Sequence, residues 1–97
     1  MGDNSFDKKM ALLSKAFLKL KDLDEAKAFL QDLLTEGEQI AISSRLNIAQ
    51  MLNSGIPYSK IQTETGASSA TIAKVSDNLK YGKDGLKLAL ERLGKYK

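Results

Sequence analysis

Residues 58–80 read YSKIQTETGASSATIAKVSDNLK, which predicts a short helix, a glycine-centred turn and a second helix. Gly66 supplies the backbone freedom that a tight interhelical turn needs. Ala67 is small, as the crossing of two helices requires. Ser68 is a good N-cap, so the second helix is expected from Ser69 to about Leu79, after a first helix over Ser59–Thr65. Ile61 anchors the first helix, and Ile72, Val75 and Leu79 fall at i, i+3 and i+7 on the second, facing inward. Ser68, Ser69, Ala70, Thr71 and Lys74 are left at the leading end or on the outer face. Hydroxyls there can reach base edges or phosphates, Ala and the Thr methyl can meet a thymine methyl, and Lys74 suits phosphate or guanine. A helix N-terminus itself favours phosphate oxygens. Helix–turn–helix geometry alone occurs in many all-α proteins, but here the turn, the cap, the polar leading edge and the buried spacing coincide. The expected DNA contacts are Tyr58, Ser59, Lys60, Ser68, Ser69, Ala70, Thr71, Lys74 and Lys80. Tyr58 has a second reading, as a packing staple before the short helix.

Upstream, Thr35-Glu36-Gly37-Glu38 reads as a capping box: a Thr hydroxyl for the N3 amide and a Glu reaching back. It opens a helix running to Ser54, with Gly55 as its C′ residue. Ile40, Ala41, Ile42, Leu46, Ile48, Ala49, Met51 and Leu52 cover more than half of this helix's circumference. In so short a chain, such a helix is expected to meet a second subunit on its other side. Before it, Lys8–Lys21 and the segment opened by Asp22 and Glu25 both show helical apolar spacing, and Met10, Phe17 and Phe29 read as core or dimer contacts. After residue 80, Tyr81-Gly82 ends one helix and Lys83–Leu93 forms the last. The expectation is six helices, no strand and no repeat. A single helical domain spans 8–94, after a flexible 1–7 and before a tail at 95–97.

Composition agrees with that class and closes off others. Ninety-seven residues make one domain. Leu and Ala supply 25 residues against 7 for Val and Ile, which favours helix. Without Cys or His there is no disulfide, no thiolate nucleophile and no imidazole base or ligand. Acidic pairs such as Asp22/Asp24/Glu25 and Glu36/Glu38 sit at helix starts, where they already serve capping and the dipole. No phosphate loop, dinucleotide fingerprint or metal-ligand cluster appears, so no catalytic residue, metal or cofactor is expected. No apolar run is long enough to span a membrane, and a soluble, cytoplasmic protein is expected. The net charge is +3, but residues 58–97 alone carry eight basic and four acidic side chains. A basic C-terminal segment on a near-neutral body suggests a polyanion partner. Lys60, Lys74, Lys80 and Lys83 cluster around the turn as candidate phosphate contacts, while Lys87, Arg92, Lys95 and Lys97 read as ordinary surface charges.

Arg45–Lys80 resembles the Trp-repressor superfamily, and within it the YerC/YecD branch of Trp-repressor-like proteins. The likeness is carried by Leu34-Thr35, Arg45-Leu46, Ile48-Ala49, Met51-Leu52, Gly55, Tyr58, Ile61, Glu64-Thr65-Gly66-Ala67-Ser68, Ala70-Thr71-Ile72, Val75, Leu79 and Tyr81-Gly82. Leu20-Lys21-Asp22-Leu23 also looks like that branch, and the likeness covers about residues 12–93. It implies an all-α, six-helix Trp-repressor-like fold in an intertwined homodimer. It also implies that the second helix of the helix-turn-helix enters the major groove of double-stranded DNA. A dimer would address two half-sites one helical turn apart, roughly 34 Å.

The resemblance further implies a ligand pocket. Its leucine and threonine before the long helix match Leu34 and Thr35, and its arginine within that helix matches Arg45. The family's arginine, glycine and serine on the recognition helix are replaced here by Lys74, Val75 and Asn78. A β-branched Val75 would fill the space an indole needs, and Lys74 lacks the planar fork that pairs with a carboxylate. Tryptophan is therefore not expected to bind, and no other effector is named by the residues. Because Arg45 lies within the apolar arc, its bland reading is a buried ion pair or hydrogen-bond hub. The functional expectation is a sequence-specific DNA-binding regulator, a repressor in the family's manner, acting as a homodimer. The alternative is a dimeric helical module that docks another protein and does not bind DNA specifically.

Overall fold

The core is built from Ile48, Ala49, Met51, Ile61, Ile72, Val75, Leu79 and Leu90, each buried, with Leu52, Ile56, Ala67 and Leu86 packed against it. The structure, a computed structural model, describes residues 5–94. Among these, six helices and no strand are found: α1 (Ser5–Lys19), α2 (Leu23–Leu33), α3 (Glu36–Asn53), α4 (Tyr58–Thr65), α5 (Ser69–Tyr81) and α6 (Gly85–Leu93). The chain forms two compact units, one up to Gln39 and one from Ile40. They differ in burial. Neither α1 nor α2 contains a buried residue, whereas every residue of the core lies beyond Gln39.

In the first unit, α1 begins at Ser5, ahead of the expected Lys8. Asp7 in its first turn complements the helix dipole. Ser5–Asp7, within the segment expected to be flexible over 1–7, are the first residues of α1. Residues 1–4 and the tail 95–97, with Lys95 and Lys97, lie outside the described residues. Asp22 caps α2 by accepting from the Glu25 N–H at 2.9 Å. The Glu25 carboxylate accepts in turn from the Lys21 N–H at 2.9 Å. Phe17 and Phe29 meet edge to face with ring centroids 5.3 Å apart, a favoured aromatic geometry. The capping box before α3 is complete: the Thr35 N–H donates to Glu38 Oε1 at 2.9 Å, and the Glu38 N–H donates to Thr35 Oγ1 at 3.2 Å.

In the second unit, α3 ends in a Schellman motif around Gly55, whose φ is +82°. The Gly55 N–H donates to Leu52 O at 3.0 Å and the Ile56 N–H to Met51 O at 3.0 Å. These bonds satisfy the last carbonyls of α3 and turn the chain into α4. The apolar residues of α3 are divided as the helical wheel demands. Ile48, Ala49 and Met51 are buried, while Ile40, Ile42 and Leu46 are exposed. One of the two expected buried sides of α3 is therefore filled by this chain's own core. Packing then proceeds from α4 to α5 and from α5 to α6. Gln50 on α3 ties down the end of α6 by donating from Nε2 to Gly94 O at 3.1 Å. The last helix starts at Gly85, two residues later than the pattern predicts, because Asp84 takes a left-handed conformation (φ 64°) and serves as its N-cap.

Candidate nucleic-acid interface

Pro57 holds φ −63° and precedes the first residue of α4, Tyr58. Its carbonyl accepts from the Lys60 and Ile61 N–H groups, both at 3.1 Å. The fixed proline φ suits a helix entrance, so Tyr58 itself joins the helix, one residue before the expected start at Ser59. Ile61 is fully buried and pins α4 to the core. At the far end, Gly66 adopts the left-handed region (φ 74°) and donates to Gln62 O at 2.8 Å. A Cβ at Gly66 would meet nothing within 4 Å, so backbone conformation alone, not crowding, calls for glycine. Thr65 tightens the same corner. Its hydroxyl donates to Ile61 O, and its Oγ1 accepts from the Ala67 N–H at 3.1 Å.

Ser68 then caps α5 by accepting from the Thr71 N–H at 3.1 Å. Ile72, Val75, Ser76 and Leu79 form the buried stripe of α5. With that stripe inward, Ala70, Thr71, Lys74 and Asp77 remain exposed. Tyr58, Ser59, Lys60, Ser68, Ser69 and Lys80 are exposed as well. The nine residues expected at the DNA surface are thus all solvent-accessible, and they come from two packed helices and the turn between them. Lys60 is engaged with Glu64 Oε2 at 3.7 Å, a solvent-facing i,i+4 pair. Such a pair is worth little and yields readily to a phosphate. The outer face of α5 is not purely basic, because Asp77 shares it with Lys74.

The residues matched to a ligand pocket are distributed differently. Leu34 is the C-cap of α2, with its N–H donating to Leu30 O and its carbonyl accepting from Gln39 Nε2 at 3.0 Å. Thr35 spends its hydroxyl on the cap of α3. Both belong to the first unit, and Arg45 and Asn78 to the second. Arg45 is exposed, and no ion pair to it is seen among the described residues. The apolar arc of α3 contains Arg45, but this chain covers only the part of that arc around Ile48, Ala49 and Met51, so Arg45 is not a buried hub within the single chain. Val75 is 1% exposed and belongs to the core. Its side chain fills interior space.

Sequence reasoning missed Ser76, the one polar member of the buried stripe. Its signal is its spacing, four residues after Ile72 on the same helical face. Tyr81, exposed at the end of α5, was read only as a terminator. Among the described residues, no cluster of three or more acidic side chains could hold a metal ion, and no helix is long and apolar enough to cross a membrane.

Comparison with known proteins bears on this arrangement. The family model for the Trp repressor protein matches residues 8–94. The chain is 45% identical over 86 residues to the uncharacterized protein YerC of Bacillus subtilis (strain 168), spanning 89% of this chain and 83% of that protein. A crystal structure of a TrpR-like protein from Eubacterium eligens superposes with TM-score 0.84 at 43% identity, covering 93% of this chain and 94% of the other. A solved chain from Staphylococcus aureus gives TM-score 0.81 at 36% identity, over 89% and 86% of the two chains.

Proposed function

This chain belongs to the Trp repressor family, and on that premise we propose that it is a sequence-specific DNA-binding regulator working as a homodimer. In this reading α5 enters the major groove and α4 lies across the backbone. The observation that carries it is the exposure of Ala70, Thr71 and Lys74 on a helix whose opposite stripe is locked into the core. A reading helix must be rigid on one side and free on the other, and α5 is both. Thr71 and Lys74 read bases, Ala70 meets a thymine methyl, and Tyr58, Ser59, Lys60, Ser68, Ser69 and Lys80 hold phosphates. The protein acts by occupying an operator, as a repressor, and performs no chemistry. Tryptophan is not its effector, because Val75 stands where the family's recognition helix carries glycine.

Selection from a random duplex pool tests this reading. The expected result is enrichment of one sequence with two related half-sites. Equal, weak binding to every duplex would overturn the specific-regulator reading and favour a module that docks another protein.

A further inference from the structure

Between the end of α3, the start of α4 and the helices α5 and α6 lies a cavity of about 380 Å³. Its walls include Ile56 and Leu79 on the apolar side and Tyr58, Ser76, Lys80 and Lys87 on the polar side. No carboxylate lines it. Ser76 is only 7% exposed, yet no hydrogen-bond partner for its hydroxyl is seen among the described residues, and it is not a fully enclosed, unsatisfied group. A nearly buried hydroxyl without a partner, on a residue that lines a cavity, is placed for something that enters that cavity. Lys80 and Lys87 likewise show no ion pair among the described residues.

We propose that this cavity binds a small organic phosphate monoester. Two ammonium groups match the charge of roughly −1.5 to −2 that such a group carries at neutral pH. The Ser76 hydroxyl and the Tyr58 phenol add neutral donors. A phosphate alone would leave much of the space empty, and Ile56 and Leu79 provide a surface for an apolar substituent, as pockets for small ligands commonly do. The cavity shares none of Leu34, Thr35, Arg45 or Asn78, so it is a separate site from the one the family resemblance suggests. Tyr58 and Lys80 also belong to the DNA surface. If the proposed function holds, the bound monoester competes with DNA and acts as an inducer.

The test is a titration of the full-length, isotope-labelled protein with phenyl phosphate at constant ionic strength, followed by amide shifts, with phenol and inorganic phosphate alongside. Saturable shifts centred on Ile56, Ser76, Leu79 and Lys87 are expected, with no response to phenol. Lys87→Gln should weaken binding about tenfold, the scale of one charge-assisted hydrogen bond. Ser76→Ala, which keeps the helix intact, should weaken it several-fold. Shifts that do not saturate, or that survive Lys87→Gln unchanged, overturn the proposal. A duplex that moves these resonances when phenyl phosphate does not also overturns it, because the cavity is then a clamp for a DNA phosphodiester. Saturable phenyl phosphate binding without any specific duplex upholds the cavity and removes the DNA reading instead.

Discussion

Thr71 is held from two sides by Ser68. The Ser68 hydroxyl accepts from the Thr71 N–H at 3.1 Å and donates to Thr71 Oγ1 at 3.0 Å. With its oxygen already accepting, Thr71 keeps its own proton for an acceptor outside the protein. If Thr71 or Lys74 contacts a base, Thr71→Ala or Lys74→Ala weakens specific binding by about 1–3 kcal/mol. Non-specific binding then changes little, which anisotropy on matched and scrambled duplexes would show. Lys80 should behave differently. As a phosphate contact, Lys80→Ala weakens binding on every sequence and lowers the salt slope by about one. A titration across salt concentrations separates the two classes; an unchanged slope would remove Lys80 from the phosphate set. Val75 yields a thermodynamic prediction. Saturating tryptophan should leave the melting temperature where it is, whereas any ligand of the native state raises it by mass action.

The turn between α4 and α5 sets the orientation of α5, and its cost is local. Gly66→Ala places a Cβ on a left-handed residue, so about 1–2 kcal/mol of stability should be lost even though the site is open. Urea denaturation measures this, and a neutral substitution would mean the turn relaxes to another geometry. Ile72→Ala removes a fully buried side chain and should cost about 2–5 kcal/mol. Much of this element was legible beforehand. The glycine, the Ser68 cap and the i, i+3, i+7 spacing of Ile72, Val75 and Leu79 each state a local requirement that no distant contact overrides. Helix starts were less legible where the backbone rather than a side chain decides. Asp84 caps α6 through a left-handed φ without a side-chain bond, a feature with no composition signal. Ser76 was missed because a serine is seldom buried, although its spacing from Ile72 places it on the buried stripe. Arg45, exposed in the single chain, shows the converse: helical spacing gives a residue's face but not what covers that face.

At the scale of the molecule, the two units have unequal resources. The unit from Ile40 onward has a core of its own, while no residue of α1 or α2 is fully buried, with Leu18 83% and Leu23 73% exposed. Short amphipathic helices are marginal in water unless an apolar face is covered. Ordering α1 and α2 therefore calls for a surface beyond what the described residues bury, and a second copy is the occupant the proposed function requires. Light scattering should return twice the 10.6 kDa of one chain. Ile40, 64% exposed on α3, is a suitable probe. Ile40→Asp should shift the protein toward monomer and reduce helicity, and a mass of one chain for the unmodified protein would contradict the pairing. Under the proposed function pairing matters, because one α5 would read too few bases to single out a site, whereas two, held at a fixed separation, would read a bipartite one. Footprinting on the selected duplex tests this most directly. The account predicts two protected major-groove patches one helical turn apart, roughly 34 Å, each lost together with specific binding in Lys74→Ala. A single patch, or uniform protection along the duplex, would contradict it.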